Sequence, residues 1–156
     1  MVFARAPSAA VFGGSMRGKM QLGFNLLGFV VFAYFAWLQR EDDNPAIYAN
    51  PSLVDVWAWI VFYGLIALLF LLGVFRRFPW PLFAVAVAFC VFELAATGPG
   101  LIQNLTGGEF TMTKKSMNPG HAEVEQSREF FGAVIALLGS GFLWWQRSLV
   151  SKPASR

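Results

Sequence analysis

Uninterrupted apolar length is the feature that most limits what this chain can fold into. A bilayer's hydrocarbon core is ~30 Å thick, so a helix rising ~1.5 Å per residue crosses it with ~20 apolar residues. Three runs have that length: "MQLGFNLLGFVVFAYFAWL" from Met20, "VDVWAWIVFYGLIALLFLLGVF" from Val54 and "WPLFAVAVAFCVFELAATG" from Trp80. A fourth, "FFGAVIALLGSGFLWW" from Phe130, is shorter and is extended by the segment before it. Only 13% of residues are charged, against ~25% in soluble domains. The reading is an all-α membrane protein, a four-transmembrane-helix antiparallel bundle with spans near 20–39, 53–75, 80–98 and 119–146. The first run exceeds a signal peptide's ~7–15-residue apolar stretch and ends without a small-x-small cleavage site, so it is expected to be retained. Residues 1–19, rich in Ala, Gly and Ser, read as a flexible tail, and 148–156 as a second tail.

Charge then orients the bundle. One end would hold Arg5, Arg17, Lys19, Arg76, Arg77, Arg147, Lys152 and Arg156, eight bases with no acid. The other would hold Arg40, Lys114, Lys115 and Arg128 among all nine acids. Base-rich connections stay cytoplasmic. Both termini are therefore expected in the cytoplasm, with the acidic end outward across a cytoplasmic-type membrane. The bases come in twos and threes, which suits lipid headgroups and argues against nucleic acid.

Local signals place the joints. Span one should end near Arg40, and Asn44-Pro45 beyond it is a turn signal that resists helix continuation. Ser52 is the expected N-cap of the second, with Asp55 as its capping-box partner. "RRFP" separates spans two and three so briefly that a tight antiparallel pair is expected. Gly98-Pro99-Gly100 is expected to end span three, and "EFTMT" could form a short extended piece. Asn118-Pro119 is expected to open a helix of some 28 residues, about 42 Å, whose first two turns stand outside the membrane. All six tryptophans fall near span ends, as an interfacial belt requires. Asn104-Leu105-Thr106 fits the glycosylation pattern, which is short enough to arise by chance. Cys90, the single cysteine, reads as a small buried hydrophobe. Gly132, Ala136 and Ser140 form a small-residue stripe for close helix approach, within the bundle or in self-association.

Polar groups within apolar runs demand partners. Glu93 lies inside span three, where an ionised acid costs roughly 2.5–3.5 kcal/mol at midplane, and Arg128 is its expected partner. Asn25 should bond a neighbouring helix. His121, Glu125 and Glu129 recur every four residues, a weak metal-ligand pattern. Phosphate-binding, hydrolase and thiol-redox motifs are absent from the sequence, and the sequence leaves any cofactor unidentified.

Two patches carry a family resemblance. One is Gln39 and Asp42 after span one, followed by "WIVFY" with Trp59 and Tyr63. The other is "EVEQSREFFGAVI", with Glu125, Arg128, Glu129 and Gly132. Together they resemble the transmembrane protein 220 family of small four-helix membrane proteins. Its first span closes on Gln and an Asn-Asp-Pro-Asp turn, and a Trp-x-x-x-Tyr follows. Its last span opens with Glu-x-x-Arg-Glu-x-x-Gly. Here Glu41 replaces the turn's Asn, Asp43 replaces its Pro, and about ten extra residues precede the Trp. The resemblance implies a fold and a matched pair of polar patches, not a reaction.

The expected site is a polar cluster of Gln39, Asp42, Glu93, Glu125, Arg128 and Glu129 just inside the outer boundary. In one reading its base and acids satisfy each other, and the outward cap engages a partner protein, making the chain a non-catalytic accessory subunit. In the other, the surplus of acids around one base forms a cation or small-ligand site, with catalysis or translocation as its possible use. A lipid or cofactor groove lined by phenylalanines is a third reading.

Overall fold

A computed structural model of the chain describes residues 16–48, 52–108, 110–113 and 117–150. Among them every regular element is helical: α1 (Met16–Leu38), α2 (Leu53–Val74), α3 (Trp80–Thr106) and α4 (Ala122–Val150). A 3₁₀ turn, Gln39–Glu41, continues α1. α1, α2 and α3 are each long and apolar enough to cross a membrane. The expected tails lie mostly outside the described residues, but Met16–Lys19 and Ser148–Val150 already belong to helices. Residues 110–113 carry no strand.

The helices pair as two antiparallel hairpins, α1 along α2 and α3 along α4, joined chiefly through α2. Asn25 and Gly28 of α1 meet Gly73 and Phe70 of α2, while Phe35 meets Tyr63. On the other hairpin, Gly100 meets Gln126 and Trp80 meets Trp144. The expected tight α2–α3 pair is therefore corrected. Those helices meet through large rings: Phe62 stacks on Phe89 at 4.3 Å between centroids, and Trp59 meets Phe89 edge-on at 5.7 Å. Rings hold backbones apart, whereas glycine lets them approach. In lipid, where water exclusion contributes little, such close packing is what binds helix to helix. A Cβ at Gly28 would strike the Phe70 ring, and one at Gly100 would strike Gln126.

α3 runs through Gly98-Pro99-Gly100 rather than stopping there. A proline inside a helix costs one backbone hydrogen bond and some crowding, so something must hold the two turns beyond it. Asn104 does so: its Nδ2 donates to Ser127 Oγ on α4 at 2.8 Å and to the Thr111 carbonyl at 2.8 Å. Both amide hydrogens are engaged and the side chain is buried, which also makes it a poor glycan acceptor.

The opposite end is tied by a second amide. Asn25 Nδ2 donates to Gln146 Oε1 at 3.1 Å, and Gln146 Nε2 returns a bond to Asn25 Oδ1 at 2.8 Å. The expected interhelical partner of Asn25 is thus Gln146. The stripe of Gly132, Ala136 and Ser140 is consumed inside the bundle. Ala136 and Ser140 are fully buried, and Gly132 lies against Tyr63, so this face is not free for a second copy. Five tryptophans are exposed, but Trp59 sits in the core at 2% exposure, packed on Tyr63 and Phe62. Its position near a helix start mimicked a belt residue, but its helical face points inward.

Candidate functional site

Helical spacing assembles the site from three elements. Asp55, Trp59 and Tyr63 follow at four-residue intervals and so share one face of α2. Glu125, Arg128, Glu129 and Gly132 occupy i, i+3, i+4 and i+7 on α4. The end of α1 runs into the 3₁₀ turn and supplies Phe35, Gln39 and Asp42. Between them lies a cavity of about 480 Å³, lined by all these residues together with Tyr48, Met112 and Met117 from the connections.

Gly132 explains how the two family patches fit together. A Cβ there would collide with the Tyr63 hydroxyl. Only glycine lets that hydroxyl lie against the α4 backbone, which sets the distance between the Trp-x-x-x-Tyr face and the Glu-x-x-Arg-Glu face.

The rim is held by a small apolar cluster separate from the main core, in which Tyr48, Met117 and Val124 are buried with Ile47 packed beside them. The Tyr48 hydroxyl donates to Asp42 Oδ1. Burial, and then this bond to a carboxylate, push the phenol well above its ordinary value of 10. Asn44 supports the turn beneath: its side-chain oxygen accepts from the Ala46 N–H at 3.0 Å. Arg128, on the same rim, directs Nη1 to Met117 Sδ at 2.6 Å.

Five of the six residues expected in the polar cluster line this cavity: Gln39, Asp42, Glu125, Arg128 and Glu129. Glu93 does not. It is buried on α3 at 8% exposure, its backbone carbonyl accepts from Thr97 Oγ1 at 2.6 Å, and no ion pair joins it to Arg128 among the described residues. The α2–α3 separation explains this, because bulky rings keep α3 off that side of the cavity. The capping role expected of Asp55 is corrected. Ser52 caps α2 through backbone geometry alone, its hydroxyl making no bond to the helix, and Asp55 lines the cavity. Its four-residue offset from Trp59 was the available signal.

The weak metal pattern also divides. Glu125 and Glu129 line the cavity. His121 precedes α4 in a turn and meets Glu123 through Nδ1 at 2.8 Å. Among the described residues no three metal-ligating side chains converge. Glu123's carboxyl is held below its usual range by its own backbone N–H, and then by His121. α4 itself starts at Ala122, three residues after Pro119, because Asn118 spends its backbone and side-chain oxygens on a turn with His121 and Gly120.

Chemically, the cavity offers carboxylates in excess over one guanidinium, on a floor of aromatic rings. Its volume lies within the roughly 300–1,000 Å³ common to small-molecule sites. A family model described as "Transmembrane family 220, helix" matches residues 31–145. No curated protein and no solved structure matches the chain. The matched stretch is well over half of the 156 residues and carries both polar patches, so the chain belongs to that family and is a membrane protein.

Proposed function

We propose that this member of transmembrane family 220 spans its membrane four times and binds a small organic cation in the cavity at its acidic end. The observation that carries the reading is the lining itself: Asp42, Asp55, Glu125 and Glu129 line one cavity with Arg128, Trp59, Tyr63 and Phe35. Carboxylates supply the charge complement, and ring faces favour a cation by a further ~0.5–2 kcal/mol where water is excluded.

The fourth crossing is supported by how α4 is tied. Ser127 bonds Asn104 near one end, and Gln146 bonds Asn25 near the other. Between Glu129 and Arg147 no charge occurs, leaving 17 residues, about 25 Å of helix. α4 thus accompanies the apolar length of its neighbours. The asymmetry of bases supports both termini on the cytoplasmic side of a cytoplasmic-type membrane.

Two experiments test this. Purified chain in detergent should show a saturable rise in melting temperature with putrescine or tetramethylammonium. The double variant Asp55→Asn/Glu129→Gln should lose it. No shift with either cation, or an equal shift in the variant, sinks the binding reading. For topology, Asn118→Cys should react with an impermeant thiol reagent on intact cells and Ser148→Cys should not. The reverse pattern inverts the orientation, and Cys90 is buried enough to give little background.

A further inference from the structure

The end of the molecule opposite the cavity carries three arginines and two tryptophans. α2 closes on a turn in which the Arg76 N–H bonds the Gly73 carbonyl at 3.0 Å and the Arg77 N–H bonds the Leu72 carbonyl at 2.9 Å. This is the double-bonded helix ending that usually places glycine in the left-handed position. Here Arg76 occupies it, at φ 55°. A long charged side chain at such a position is strained relative to glycine, and both Arg76 and Arg77 are exposed.

Three residues on, Trp80 opens α3 and packs edge-on against Trp144, with centroids 5.5 Å apart. Arg147 lies over the Trp144 ring at 4.8 Å. Both tryptophans remain about half exposed, Trp80 at 56% and Trp144 at 47%. The two indoles thus link the start of α3, just after the arginine turn, to the last turns of α4. Residues 1–40, 56–92 and 130–156 contain no acid at all. Arg76 and Arg77, which lie on the exposed turn with no acidic side chain within ten residues of them in sequence, give this end a positive face.

We infer that Arg76, Arg77 and Arg147 hold the phosphate of an anionic phospholipid headgroup, with Trp80 and Trp144 seated at its glycerol level. Guanidinium suits phosphate because its fork of N–H donors matches the oxygens. Indole suits the adjoining layer, being apolar in body with one polar edge. The strained Arg76 then has a role: its left-handed backbone sets two adjacent arginines on one turn beside Trp80, where a relaxed glycine would remove one charge. This surface is independent of the cation cavity, and either proposal can fail alone.

The test uses the full chain in detergent with added phosphatidylglycerol or phosphatidylcholine, reading bound lipid by native mass spectrometry. The wild-type chain should retain phosphatidylglycerol preferentially. Arg76→Gln/Arg77→Gln should lower that preference roughly five-fold per arginine, since each basic residue beside an anionic surface is worth about that factor. Arg76→Gly separates lipid binding from folding. It should melt at the same or a higher temperature in phosphatidylcholine, because the turn favours glycine, and still lose phosphatidylglycerol preference. Equal retention of the two lipids by wild type, or undiminished preference in the double variant, overturns the inference. So does displacement of bound lipid by soluble glycerol phosphate at matched concentration, which would mark a site for free phosphate.

Discussion

The reciprocal amide pair between Asn25 and Gln146 offers the sharpest measure of how this bundle closes. The two side chains exchange bonds of 3.1 and 2.8 Å, and neither is more than 3% exposed. Replacing Gln146 with leucine fills the space but leaves an amide N–H and C=O on Asn25 facing apolar groups, including Leu143 near Gly73. An orphaned amide costs roughly 1–3 kcal/mol in mutational data. Interhelical hydrogen bonds in membranes average ~0.6 kcal/mol each and reach ~1.7. Two bonds therefore give a coupling of about 1–3 kcal/mol. Either single change, Asn25→Leu or Gln146→Leu, should destabilise by that order. The double change should cost clearly less than the two singles together, because no polar group is then stranded. Unfolding in mixed micelles, followed by circular dichroism against denaturant, reads all four corners of the cycle. Singles that add to within about 0.3–0.5 kcal/mol would mean that the residues do not touch. The start of α1 would then not lie beside the end of α4, and the fourth helix would lose its tie to the first.

Two further outcomes follow from the cavity. Gly132→Ala should destabilise by about 1–3 kcal/mol through overpacking against the Tyr63 hydroxyl, and adding Tyr63→Phe should recover much of that loss in thermal melts; no recovery would mean the hydroxyl is not what Gly132 accommodates. Tyr48 should make the rim alkali-sensitive. Its phenol is raised above 10 by burial and by Asp42, so the stability it contributes is complete below that ordinary value and is lost as pH climbs toward the raised one. Melting temperatures from about pH 8 to about pH 11 should fall more steeply in wild type than in Tyr48→Phe, and parallel curves would count against a buried, bonded phenol.

Several features were legible from the residues alone, because they depend on short-range periodicity. Run length announces membrane-crossing helices, since only satisfied backbone can enter hydrocarbon and a helix satisfies its own. The 3.6-residue turn puts Glu125, Arg128, Glu129 and Gly132 on one face whatever else the chain does. The joint at Asn44-Pro45 likewise follows from local backbone sterics.

What the tertiary structure decided is which faces meet. Helix pairing depends on where glycines admit a neighbour and where rings keep one away, so the short "RRFP" link did not make α2 and α3 the close pair. That separation withholds Glu93 from the cavity, turns Trp59 into the core and admits Asp55 in place of a capping role. Pro99 interrupts a helix by local rules, but the Asn104–Ser127 bond to α4 holds the chain helical past it. His121 shares a spacing with Glu125 and Glu129 yet precedes the first helical turn, so the spacing never became a common face. A sequence specifies neighbours three and four residues apart because backbone geometry is local. Contacts between helices far apart in the chain depend on the volumes of both surfaces at once, and only the packed bundle sets those against each other.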